Sequence, residues 1–424
     1  MGPGNTTYST TSKILSLLFI SSFQAYSQDQ SPVVQEEYVL PADFEKQEYI
    51  WLSYSNRSFY GGESVEPAIL ASIKELSPYV KIRLVVSEED QIDHLNNVFQ
   101  EENIDLNNVE LIYYPNKWFA LRDIGPAFLK NSKGEIVVGD FSWNNLGFPT
   151  LAEKVIETEQ VDRDLADHLG FPTIKSLLVS EGGAREVNGK GTLILVEEVD
   201  LKRNIGWTTQ DIENEYKRML GVSKVIWLKK GLLEDEKINY GLLPDHVIPI
   251  GSGGHIDLFC RFADPNTILL AEISEEERDS NSISWINYHR MEENYEILKN
   301  ATDQDGNPFN ILRVPAANVL IQEYEITEED HYLLKHLPES KAGDNIKYAL
   351  AASYLNFIVA NGIVLTANYW KEGRDPAILE KDLKVKEILQ IAFPDRQIVM
   401  IDVESYNHDR GGLHCSSQQQ PALK

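Results

Sequence analysis

The chain has 424 residues, 42% of them hydrophobic and 25% charged, the balance of an ordinary globular protein with material for a large core. Its 66 acidic against 39 basic side chains give a formal net charge of -27, which repels nucleic acid and anionic lipid and favours cationic ligands. Acidic runs such as Glu275-Glu276-Glu277 also serve simply to keep the surface solvated.

At the start, Lys13 precedes the apolar stretch Ile14 to Phe23, and Ala25-Tyr26-Ser27 offers small residues where a signal peptidase needs them. This predicts a cleaved secretory signal over residues 1–27, with an uncleaved anchor as the alternative, and hence a secreted or periplasmic protein. The apolar core is too short for a span of about 20 residues, and no later segment is longer, so no membrane association is expected after cleavage. Residues 28–37 read as a flexible leader. Residues 38–424, with no Pro-, Gly- or Ser-rich linker to divide them, read as one domain.

Along that domain β-branched and aromatic runs mark strands at Val80 to Val86, Val109 to Tyr114, Glu135 to Val138, Thr192 to Val196, Val225 to Leu228, Thr267 to Ala271, Ile363 to Ala367 and Gln397 to Ile401. Apolar residues at i, i+3 and i+4 predict helices over Val65 to Leu76, Leu151 to Leu169, Thr209 to Leu220, Ile283 to Lys299, Ile346 to Ala360 and Ala377 to Ala392. The class is α/β. A ββαβ unit of roughly 80 residues fits the alternation about five times.

There are two cysteines, Cys260 and Cys415, which suits a chemical role better than a disulfide framework, although a Cys260 to Cys415 bridge is the alternative. Cys415 follows Gly411-Gly412-Leu413-His414 and precedes Ser416-Ser417-Gln418-Gln419-Gln420-Pro421, a polar setting unlike a core slot. A nucleophilic thiol needs a base or a positive field nearby. His414, if the backbone is extended, points away from the sulfur. In Gly253-Gly254-His255-Ile256-Asp257 the imidazole and the carboxylate project from one face if the segment is a strand, pairing a general acid/base with an anionic binding group. Asp123 follows Arg122 and precedes the turn Gly125-Pro126, where its carboxylate suits bidentate capture of a planar cation or a local ion pair. Glu181-Gly182-Gly183 and Glu197-Glu198 supply acidic groups, either of which could hold His255 in one tautomer. No second His or Cys stands at ligand spacing around His255, so no metal and no other cofactor is expected.

Together these motifs resemble the agmatine deiminase and bacterial peptidylarginine deiminase family of the guanidino-group-modifying superfamily. The likeness runs from Leu40-Pro41-Ala42-Asp43-Phe44-Glu45 through Arg122-Asp123, Glu181-Gly182-Gly183, Arg203-Asn204, Gly254 to Asp257 and Asn356-Phe357 to the Gln418-Gln419-Gln420-Pro421 tail. It implies a pentein fold, a five-bladed pseudo-symmetric α/β propeller with its site at the central mouth. Carried over by position, Cys415 is the nucleophile, His255 the general acid/base, Asp123 and Asp257 the clamps on a guanidinium, Glu197 the group orienting His255, and Asn356 a neighbour of the site. The implied reaction is hydrolytic deimination to ammonia and a ureido product through an amidino-cysteine.

Two departures bear on the substrate. Trp118 stands five residues before Asp123 where the family writes Trp-x-Arg-Asp, and the tail begins Asp409-Arg410-Gly411 rather than with three glycines. The stretch Phe141 to Asn145 has no arginine to hold a substrate carboxylate, which favours agmatine, whereas the signal favours an arginine-containing peptide at its C-terminal arginine. An amidinotransferase, a non-catalytic secreted guanidinium-binding protein and a papain-like hydrolase are the competing classes. The last is disfavoured because His255 precedes Cys415. A homo-oligomer is left open.

Overall fold

One motif, strand, strand, helix, strand, recurs along the chain and decides where every functional side chain lies. The computed structural model describes residues 37–423, apart from 59, 116–117, 148–151 and 409–410. The expected signal over 1–27, nearly all of the leader and the divergent Asp409-Arg410 pair lie outside the described residues.

Among the described residues five sheets share one pattern, an antiparallel pair followed by a parallel partner. The second to fifth join Ala127–Lys130, Ile136–Ser142 and Thr173–Val179; Arg185–Val187, Thr192–Val196 and Lys224–Leu228; Cys260–Asp264, Thr267–Glu272 and Asn310–Pro315; and Ile358–Ala360, Ile363–Asn368 and Gln397–Asp402. The first sheet takes its antiparallel member from the far end of the chain. Ser417–Pro421 pairs with Gln47–Ser53, which continues in parallel with Lys81–Val86 and Val109–Tyr113. Helices between the second and third strands of each unit make the parallel crossovers possible, since a parallel connection needs a dozen or more residues.

The middle strands are buried on both faces and read as unbroken apolar runs, as in Thr192–Val196, where every residue is buried. The crossover Thr209–Leu220 starts at a capping box between Thr208 and Asp211 and turns Ile212, Tyr216, Met219 and Leu220 inward.

Seven of the eight strands read from the sequence lie within about a residue or two of their expected ends; the eighth, around Ile136, runs on to Ser142. The helix expected over Leu151 to Leu169 is broken at Gln160 into Ala152–Glu159 and Val161–Leu169. The helix expected over Ile346 to Ala360 does not form. Asn345–Ala349 is instead a strand of a sixth sheet, between Ile248–Pro249 and Ile321–Glu325, and the chain then runs irregularly to Ile358. Tertiary pairing overrides local periodicity there. Ser353 completes the diversion, because its hydroxyl donates to the Leu258 carbonyl at 2.6 Å and accepts from the Leu355 N–H at 2.9 Å.

Candidate active site

In each of the five like sheets, the residues just ahead of the first strand carry the polar chemistry. Asp123 lies four residues before Ala127, Glu181 four before Arg185, Asp257 three before Cys260, Asn356 two before Ile358 and Cys415 two before Ser417. Equivalent places in five repeated units thus supply one cluster. Backbone contacts lock these entry segments together: the Arg122 N–H donates to the Cys415 carbonyl at 3.0 Å, and the His414 N–H donates to the Asn356 side-chain oxygen at 3.0 Å.

Two side chains bring polar atoms up to the sulfur of Cys415. Asn356 Nδ2 is 3.2 Å from Sγ and Asp257 Oδ2 is 3.7 Å from it. His255 is fully buried, with Nδ1 3.8 Å from Asp123 Oδ1 and Nε2 3.6 Å from Glu181 Oε2, both longer than a hydrogen bond. Glu181 is itself fixed by Arg203, whose Nε donates to Oε1 at 2.7 Å. Burial disfavours charge on His255, but Glu181, Asp123 and Asp257 outweigh it and raise the imidazole to about 9. Burial, together with the Glu181 and Asp257 charges, lifts Asp123 to about 7. Burial also opposes the charge of Asp257, yet His414, His255 and Arg261 hold it below the ordinary carboxylate range. Burial and the same two aspartates push the Cys415 thiol well up. Without a cation between the carboxylates, the sulfur therefore keeps its proton.

Two glycines are required by this crowding. A Cβ at Gly183 would lie 2.7 Å from His255 Nδ1 and 3.0 Å from Asp257 Oδ2. A Cβ at Gly412 would meet the Asn356 side-chain oxygen at 2.6 Å. Gly183 and Gly412 are thus clearance for the cluster, whereas Gly253 and Gly254 stand at φ +109° and +98°, backbone that favours glycine.

The structure brings Asp123, His255, Asp257, Asn356 and Cys415 together, and it corrects three local readings. Glu197 does not reach His255. It begins the helix Glu197–Arg203 at the outer end of its strand, one third exposed, and pairs with Lys229 at 2.6 Å. Glu181 stands in the place assigned to it. His255 and Asp257 are not on a strand, because Ile256–Leu258 is a turn of 3-10 helix, and Asp235 holds its approach by accepting from the N–H groups of Ser252, Gly254 and His255 at 2.7–2.8 Å. His414, set aside as pointing away, lies in a turn instead of a strand, with Nδ1 2.7 Å from Asp257 Oδ2 and Nε2 2.7 Å from Asp43 Oδ2. Cys260 is a free buried thiol packed in the main core, and no bridge joins it to Cys415. Trp118 packs edge-on against Trp143, with ring centroids 4.8 Å apart, just before the helical turn Leu121–Ile124 that carries Asp123.

A family model described as Porphyromonas-type peptidyl-arginine deiminase matches residues 39–421. The agmatine deiminase of Pseudomonas syringae pv. syringae (strain B728a) is 29% identical over 400 residues, covering 90% of this chain and 95% of that protein. A solved agmatine deiminase of Enterococcus faecalis is similar with a TM-score of 0.68 at 24% identity, over 91% of this chain and 96% of its own. The C. jejuni agmatine deiminase gives 0.64 at 22%, again over 91% of this chain and 96% of its own. At those identities the two structures speak to the fold, which is mixed α/β in all three.

Proposed function

This chain belongs to the Porphyromonas-type peptidyl-arginine deiminase family, and from that premise we propose the chemistry and the roles that follow. The chain is a hydrolase acting on guanidino groups. Its substrate is agmatine, which it converts to N-carbamoylputrescine with release of ammonia. The observation that carries this reading is a pair of orphaned oxygens. Asp123 Oδ1 and Asp257 Oδ1 are buried with no hydrogen-bond partner among the described residues, one beside His255 and the other on the carboxylate that faces Cys415. Buried carboxylate oxygens left unpaired are costly, and a planar cation donating to both removes that cost.

A guanidinium held in this way offsets the negative field that keeps Cys415 protonated, so the thiolate forms as substrate arrives and its proton passes to water. Sulfur attacks the central carbon, and the resulting tetrahedral centre collapses by breaking a C–N bond, the departing ammonia taking its proton from His255. Water, deprotonated by the now neutral imidazole, adds to the amidino-cysteine; cleavage of the C–S bond then gives the ureido product and the thiol. Glu181, rather than Glu197, keeps His255 charged for the first half. Asn356 holds the Cys415 turn and contacts its sulfur.

We read the five like sheets as the blades of a pentein propeller whose mouth is lined by the five entry segments, with residues 38–424 acting as one domain. Residues 1–27 are proposed to direct export, which favours arginine-terminated peptides as the second substrate reading. Ammonia release from agmatine and from such a peptide, assayed side by side, tests the ranking: turnover of agmatine supports it, and turnover of the peptide alone overturns it.

A further inference from the structure

Asp257 uses its two oxygens differently. Oδ2 is 2.7 Å from His414 Nδ1, while Oδ1 is buried and has no partner among the described residues. A carboxylate turns easily about its last bond, whose torsion is broad and roughly two-fold, so some fixed group must decide which oxygen faces the cation. His414 is placed to do so only if its own ring is fixed. At its far side Nε2 lies 2.7 Å from Asp43 Oδ2. Asp43 in turn receives Arg261 Nη2 at 2.7 Å and has Arg122 Nη1 at 3.9 Å. Arg261 is wholly buried and tied to Glu186 at 3.1 Å and to the carbonyls of Leu355 and Phe357, each at 3.1 Å. Those carbonyls flank Asn356. One chain of contacts, buried except at the partly exposed Asp43, therefore links the Leu40 to Glu45 segment, the strand after Asp257, the segment carrying Asn356 and the residue before Cys415.

We propose that Asp43 is a positioning residue for deimination: through His414 it orients the Asp257 carboxylate so that Oδ1 faces the guanidinium, although Asp43 touches neither substrate nor nucleophile. This rests on the deiminase reading and extends it to the N-terminal segment, 214 residues from Asp257 in sequence. Loss of the Asp43 charge frees the His414 ring and, with it, the torsion of Asp257. Capture of the cation then weakens while the sulfur and His255 stay in place.

The test is steady-state kinetics on agmatine for the wild type, Asp43→Asn and the conservative Asp43→Glu, with thermal midpoints recorded for each. Binding of agmatine is measured separately in the Cys415→Ser background, where no turnover intervenes. The expected result is a KM raised about tenfold in Asp43→Asn with kcat within about threefold of wild type, partial recovery in Asp43→Glu, and matching loss of affinity in the Cys415→Ser background. An unchanged KM, or a loss of kcat alone that follows the folded fraction, overturns the proposal. If Asp43→Asn does not fold, His414→Gln is read by the same criteria. Absence of ammonia from the wild type would instead count against the deiminase reading, so the two failures remain distinct.

Discussion

At the residue scale, the cluster is defined by two groups whose protonation is set by their neighbours. Asp123, raised to about 7, has to be ionised to hold a cation, and His255, raised to about 9, has to be protonated to expel ammonia. The pH profile of kcat/KM for agmatine is therefore expected to climb through about 7 and fall through about 9. Glu181→Gln removes the first carboxylate that lifts His255 and one of those that lift Asp123, so the descending limb should move to lower pH and the ascending limb should shift the same way. A descending limb unmoved in that variant would remove Glu181 from its role. Cys415→Ser should lose turnover by about a thousandfold or more with its melting midpoint preserved.

At the element scale, the turn ahead of His255 depends on one buried carboxylate that accepts from three backbone N–H groups. Asp235→Ala leaves those donors unsatisfied at roughly 1–3 kcal/mol each, so denaturant unfolding should register a loss of about 3 kcal/mol or more, accompanied by reduced kcat/KM. A variant as stable as wild type would mean that water replaces the carboxylate. This scale also separates what the sequence could disclose from what it could not. Buried strands such as Thr192–Val196 and crossovers such as Thr209–Leu220 declare themselves through composition and capping, which are local properties. Asp123, His255, Asp257 and Cys415 were legible as motifs because each stands in a short run with glycine, which local backbone conformation or close packing requires there. Glu181 and Glu197 both flanked plausible strands, and what distinguishes them is place within the unit, since Glu181 precedes the first strand and Glu197 follows the second. Aligning the five units by their first strands would have found Glu181. His414 was misjudged because an extended backbone was assumed where the chain turns, and Asn345–Ala349 because its pairing partners lie in distant segments.

At the scale of the whole molecule, burying so many acids makes stability depend on pH. Asp123, Glu186 and Asp200 are raised to about 7 and Asp235 to about 6, chiefly by burial, from an unfolded value near about 4. Between those limits the folded state binds more protons than the unfolded one, so these groups make stability decline as pH rises from about 4 to about 7. His255 adds to the decline, because its contribution is complete below about 6.5 and is lost as pH passes through about 9. Glu181 and Asp257 are depressed and act in the opposite sense, losing their contribution only as pH falls below about 4. The urea midpoint is thus expected to be higher at pH 5 than at pH 8, and Asp123→Asn should narrow the gap. A higher midpoint at pH 8 would contradict the burial of these acids in their neutral forms.

The most direct measurement is mass spectrometry of protein quenched during turnover of agmatine. A mass gain equal to agmatine less ammonia, confined to the peptide containing Cys415 and absent from Cys415→Ser, is the predicted result. Ureido product forming with no such adduct, or an adduct on any other residue, would contradict attack by this sulfur.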